Sequence, residues 1–172
     1  MPEGENMGKS PHKFQEKMQS GMTYEQDFRD RCHEMVCLAE EFERVIGRKK
    51  TLEVMGKARD RYIVEITKKA REVKNFEDFK AVEKAENASP YFSHTVTLTY
   101  PEETPSKLKL HVTECLWAKV FKEMKATDLG YVLNCQPDSA YARACHPNIK
   151  LKRTKTLMQG DDYCDHTFYW EE

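Results

Sequence analysis

The sequence predicts an α+β fold: an N-terminal helical hairpin, then a four-stranded antiparallel sheet built from two β-hairpins with two inserted helices. Three observations carry this. Apolar residues recur at helical spacing from Thr23 to Val73, the periodicity switches to two after Pro90, and the later β-branched or alternating runs are separated by turn residues. Helices followed by strands, rather than strands and helices in strict alternation, argue for an antiparallel sheet.

The first helix begins after Thr23 and carries Tyr24, Phe28, Cys32, Met35, Val36, Leu38, Ala39, Phe42, Val45 and Ile46 before Gly47 stops it. A second runs from about Thr51 to Val73, with Leu52, Met55, Ala58, Tyr62, Ile63, Ile66 and Ala70 on one side and charges on the other. The two are expected to pair antiparallel and to bury one face against the sheet or a second subunit. A short third helix, Phe76 to Ala85, presents Phe76, Phe79 and Val82, and Asn87-Ala88-Ser89-Pro90 ends it.

The first hairpin pairs His94–Tyr100 with Lys107–Val112 across a turn at Pro101–Ser106. Cys115 then marks the hand-over to a helix over Leu116–Met124, and a further helical segment spans roughly Leu129–Ala144 before Pro147. Ile149–Met158 and Tyr163–Trp170 are expected to form the second hairpin around Gly160-Asp161. The organisation is a disordered tail over 1–21, a helical region over 22–87 on the same core, and an α+β region over 88–172.

Composition narrows the function. With 28 basic and 29 acidic residues there is no basic footprint for nucleic acid or an anionic membrane surface, and no apolar run approaches bilayer length. The opening segment lacks a secretory hydrophobic core, so a cytoplasmic protein with six free thiols is expected, at positions 32, 37, 115, 135, 145 and 164.

Chemically useful side chains concentrate in the last sixty or so positions. Val112-Thr113-Glu114-Cys115 is followed by Cys135-x-x-Asp138, then by Pro147-x-Ile149-x-Leu151-x-Arg153-Thr154-x-Thr156-Leu157-Met158-x-Gly160, and finally Cys164-Asp165. This series, over about residues 92 to 170, resembles the L-2-amino-thiazoline-4-carboxylic acid hydrolase family. The family usually continues Cys-Asp with Phe and Arg, where this chain has His166 and Thr167. The resemblance implies hydrolysis of a C–N or C–S bond in a small cyclic amidine or thiazoline-type carboxylate, without a cofactor.

That reaction requires an activated attacker, a partner for the cationic amidine and a grip on a carboxylate. Cys115 is a candidate nucleophile because a helix start favours a thiolate, although it could equally fill an apolar corner. Cys135 and Asp138 share a helix face, and Asp138 could serve as general base, hold an amidine, or merely stabilise a helix start. Arg153 could grip a carboxylate or pair with Asp165 across the hairpin. Cys164 shares its strand face with His166 and Phe168, while Thr154 and Thr156 face together, opposite to Arg153. Catalytic roles therefore fall to Cys115, Asp138 and Cys164, and substrate contacts to Cys135, Arg153, Thr154, Thr156 and Asp165.

Two alternatives compete. Cys115, Cys135 and Cys164, with Asp138 or His146, could ligate zinc, although no Cys-x-x-Cys pair is present. The hairpin, cysteine corner, helix and hairpin order is also similar to small ligand-binding domains of the four-vinyl-reductase type, and on that reading this chain is a non-enzymatic sensor that binds a ligand or metal in a thiol-lined cavity and forms a homodimer through its N-terminal helices.

Overall fold

A computed structural model describes residues 12–70 and 72–171. The chain folds as helices followed by a four-stranded antiparallel sheet, the α+β arrangement expected, with β1 (Val96–Thr104), β2 (Lys107–Cys115), β3 (Ile149–Lys152) and β4 (Cys164–Trp170) in the order β1-β2-β4-β3. β2 therefore lies between the two hairpins, pairing antiparallel with both β1 and β4. No described helix is long and apolar enough to cross a membrane.

Helix α1 (Tyr24–Ile46) opens with a capping box: the Thr23 hydroxyl accepts from the Gln26 amide and the Gln26 side chain accepts from the Thr23 amide. Gly47, at φ 79°, ends it, and α2 (Arg48–Ala70) starts at the next residue, so the hairpin link is tighter than a start at Thr51 implied. Only part of the α1 apolar face is used. Phe28, Cys32 and Ala39 are buried, whereas Met35, Leu38, Phe42, Val45 and Ile46 are exposed. Of the tail expected to be disordered, residues 1–11 lie outside the described residues. The remainder is built into the fold: Phe14 is buried in the core beneath α1, and Lys17 bridges to Thr23.

Helix α3 (Phe76–Asn87) is capped by Asn75, whose side chain accepts from the Asp78 amide. Ser89-Pro90 does more than end it. Ser89 caps and Pro90 occupies the first turn of a short helix, α4 (Pro90–Thr95), so β1 begins at Val96 rather than His94. At its other end β1 continues through Pro101 to Thr104, because a register shift between Thr99 and Glu102 takes the proline out of the pairing. The turn shrinks to Pro105-Ser106.

Helix α5 (Leu116–Glu123) follows Cys115 directly, as expected. The single helix expected over Leu129–Ala144 is instead three pieces: α6 (Thr127–Gly130), a π-helical turn at Tyr131–Cys135, and α7 (Asp138–Cys145). Gly130 is required there, since a Cβ would lie 2.7 Å from Met158 Sδ and from Phe121 Cγ. β3 ends at Lys152, short of Met158, because Thr156 caps a 3₁₀ turn at Leu157–Gln159.

The sheet is covered on one face. Leu108, Leu110 and Val112 of β2 lie opposite Phe168, His166 and Cys164 of β4, and of this stripe Leu108, Leu110 and Phe168 pack with Phe76 and Phe79 of α3 and Ala142 of α7. Alternation along β4 therefore sets a histidine and a thiol in the row that faces the helices.

Candidate active site

Between the covered sheet face and the helices lies a cavity of about 360 Å³. Five of the expected site residues line it: Cys115, Cys135, Asp138, Arg153 and Cys164. His166 and Phe168 share the sheet wall, and Ile63, Leu98, Leu110, Val112 and Trp117 make much of the remainder apolar.

The segment from α6 to α7 supplies the cavity with polar partners because its backbone is irregular. Pro137 has no N–H, so the Leu133 carbonyl lacks its helical partner and accepts from Arg59 Nε of α2 at 3.0 Å. At the end of the π-helical turn, the Cys135 carbonyl accepts from Arg153 Nη2 at 2.9 Å. Arg153 Nη1 donates to Asp138 Oδ2 at 2.5 Å, and the guanidinium lies 5.7 Å from the Tyr131 ring centroid.

Arg153 is therefore committed to protein partners. Its side chain is 9% exposed; burial draws its pKa down, but Asp138 and the neighbouring Cys135 and Tyr131 carry the net shift upward. The alternative pairing of Arg153 with Asp165 does not form. His166 Nε2 lies 3.2 Å from Asp138 Oδ2 and 3.3 Å from Arg153 Nη1, while its Nδ1 is buried without a hydrogen-bond partner. If Nε2 carries the proton it donates to Asp138 and Nδ1 is a free acceptor. If Nε2 accepts from Arg153, Nδ1 is a free donor. Either way a polar atom stands unpaired at the cavity wall, a cost of about 1–3 kcal/mol.

The thiols behave differently from the helix-start expectation. Burial pushes the Cys115 thiol up to about 12, and the Ala118 and Trp117 amides at the start of α5 offset this only in part. Cys135 is pushed up by burial and then by the Asp138 charge. Cys164 is also pushed up by burial, although its Sγ accepts from the Leu157 amide at 3.2 Å. Burial thus favours the neutral thiol at all three positions.

Thr154, Thr156 and Asp165 are not brought to the cavity. Strand β3 stops before them, so the facing argument that joined the threonines no longer applies. Asp165 accepts from the Thr154 and Lys155 amides and from the Thr154 hydroxyl, latching the loop. Thr156 caps the 3₁₀ turn through the Gln159 amide. The zinc set does not assemble either: among the described residues no group of three or more His, Cys, Asp or Glu side chains is placed to hold a metal ion, and His146 stacks on Trp170.

Among the polar lining residues that escaped sequence reasoning are Arg59, Glu83 and Tyr141. Glu83 of α3 accepts from Asn87 Nδ2 at 3.2 Å and from the Tyr141 hydroxyl at 3.1 Å. Burial pushes its carboxyl up to about 7, with those two hydrogen bonds pulling the other way. The signal was present in the spacing. Glu83 continues the Phe76, Phe79 stripe at positions i+7 and i+4, and Arg59 continues Leu52, Met55 and Ile63 in the same way, so each charge interrupts an apolar face.

Over residues 26–168 the chain matches the family described as L-2-amino-thiazoline-4-carboxylic acid hydrolase. The match extends well before the motif-bearing region, through α1, α2 and α3. Among solved structures, the chain is similar to the phenol-responsive sensory domain of the transcription activator PoxR, crystallised with phenol, at TM-score 0.48 and 12% identity over 78% of this chain and 71% of that one. No curated protein matches the chain.

Proposed function

The chain belongs to the L-2-amino-thiazoline-4-carboxylic acid hydrolase family, and from that membership we propose that it hydrolyses a small cyclic amidine carboxylate of thiazoline type in the cavity between sheet and helices. The observation that carries this reading is the Arg153–Asp138–His166 cluster on the cavity wall beside Cys135.

The attacked carbon carries two nitrogens and one sulfur. Asp138 Oδ2 is held by Arg153 and His166, which leaves Oδ1 to take a proton from a water as its oxygen adds to that carbon. The tetrahedral carbon then releases either the ring sulfur or a nitrogen, and the departing atom receives a proton. Loss of sulfur yields a carbamoyl thiol. The proton that Asp138 takes from the water is the one returned to the departing atom; burial makes the Cys135 and Cys164 thiols weak acids as well as weak nucleophiles, so they shape the cavity rather than attack or donate. The same burial at Cys115 favours water over a cysteine nucleophile.

A second reading, a ligand-binding domain without turnover, is favoured by one feature: a largely apolar cavity whose thiols are all unactivated. Incubation with 2-amino-thiazoline-4-carboxylate, followed by mass spectrometry for carbamoyl-cysteine, separates the two. The hydrolase reading expects product from the wild type and a 10²–10⁴-fold loss, roughly, in Asp138→Asn. A bound ligand with no product over long incubation would favour the second. We further propose that the exposed α1 stripe joins two copies of the chain.

A further inference from the structure

Glu83 and Arg59 both line the cavity, and the hydrolase reading leaves them unused, as it does Glu86 beside them on α3. We propose that Glu83 takes the cationic amidinium of a zwitterionic ligand and Arg59 its carboxylate, so that α3 and α2, rather than Asp138 and Arg153, carry substrate recognition. This deepens the proposed function and rests on it for the ligand class.

The argument begins with what is already occupied. Asp138 and Arg153 neutralise each other at 2.5 Å, and Arg153 spends its second terminal nitrogen on the Cys135 carbonyl. A ligand carboxylate that took Arg153 would leave Asp138 without its cation, and breaking one partner away from a partly buried pair is unfavourable. Glu83 is different. The two groups that hold it, Asn87 and Tyr141, are neutral donors, and Asn87 is itself tied to the Tyr100 hydroxyl. A carboxylate at an apolar cavity wall with only neutral donors is stabilised in its charged form by an arriving cation.

Arg59 lines the same cavity from α2. Its Nε is used on the Leu133 carbonyl, and its guanidinium lies 5.4 Å from the Tyr62 ring centroid. Both contacts fix the side chain without neutralising it. The Pro137 gap thus serves to aim a cation at the cavity through a backbone carbonyl.

The charge state of Glu83 supports the assignment. Around it stand His166 of β4, Tyr141 of α7, and Glu86 on its own helix. With its carboxyl near neutrality, a bound cation displaces a proton, so binding and proton release are coupled.

Calorimetric titrations with three probes test the proposal: 2-amino-thiazoline-4-carboxylate, 2-amino-2-thiazoline, which lacks the carboxylate, and thiazolidine-4-carboxylate, which lacks the amidine. Glu83→Gln should weaken the two amidine probes by about tenfold or more while sparing thiazolidine-4-carboxylate. Arg59→Gln should weaken the two carboxylates and spare 2-amino-2-thiazoline. At pH 7 the wild type should release protons on binding 2-amino-2-thiazoline, read as heats that depend on the buffer, and Glu83→Gln should not. Equal losses for all three probes, unchanged amidine affinity in Glu83→Gln, or no binding of any probe by the wild type overturns the proposal. Selective losses without any product would leave the recognition assignment standing and remove the hydrolase. Full turnover by Glu83→Gln with unchanged KM would do the reverse.

Discussion

The Tyr141 hydroxyl donates to Glu83 Oε2 at 3.1 Å, tying α7 to α3 at the cavity wall. Burial and the Glu83 charge push the Tyr141 phenol upward, so it remains a donor wherever Glu83 titrates. The pair consequently has one switchable member. Its state is set by Glu83.

Stability should report that switch. Glu83 is raised from an ordinary 4.5 to about 7, so the folded protein holds its proton more tightly than the unfolded chain. Stability from this group is full below about pH 4.5 and is lost as pH rises through about 7. Glu83→Gln should therefore match the wild type in urea unfolding near pH 4.5 and exceed it above pH 7, by about 3 kcal/mol at most. A constant difference across that range would contradict the assignment.

Thiol chemistry should rank by accessibility. Iodoacetamide near neutral pH should label the exposed Cys37 first, and Cys115 slowly, because its thiol is pushed up to about 12. Cys115→Ser should lose less than about tenfold in turnover, against the hundredfold or greater loss expected when a general base is removed. Complete inactivation of Cys115→Ser with the fold intact would restore the covalent route.

Arg153 should matter for stability as much as for chemistry. Removing it strands the Asp138 carboxylate and the Cys135 carbonyl, so Arg153→Ala should cost about 3 kcal/mol or more in urea unfolding. Arg153→Lys should recover only part of that, since one ammonium cannot reproduce the two-pronged contact. Equal stability of the Arg153→Lys variant and the wild type would show that charge alone suffices.

Phe42 offers a test of self-association. It is 52% exposed on the α1 face shared with Leu38 and Val45, so Phe42→Asp should fold normally but sediment as a smaller species than the wild type. Identical sedimentation of both proteins would exclude this face as a contact between copies.

Much of the architecture was legible because it rests on periodicity. The α1 cap at Thr23, the Gly47 stop, the Cys115 hand-over and the shared face of Cys164, His166 and Phe168 all follow from local spacing. What escaped was set by single residues acting against the pattern. Pro90 and Pro101 sit where a helix starts and where a strand shifts register, although a proline is more often read as a break. Site residues followed the same division. Cys115, Cys135, Asp138, Arg153 and Cys164 reach the cavity, yet Arg153 turned inward to Asp138, a pairing fixed by where β3 ends. Phe14, packed beneath α1, lay in a stretch whose polar neighbours masked it.

The register shift at Pro101 also bears on how the sheet meets other chains. β1 is one outer strand, and where it would template a further strand it offers a residue with no N–H and a broken ladder. The other outer strand, β3, has four residues, two of them lysines. Neither margin provides the long, flat, unpaired row that seeds edge-to-edge aggregation. When the helical layer loosens during heating or synthesis, clustering should therefore proceed through exposed helix faces and remain reversible, rather than growing into cross-β fibrils.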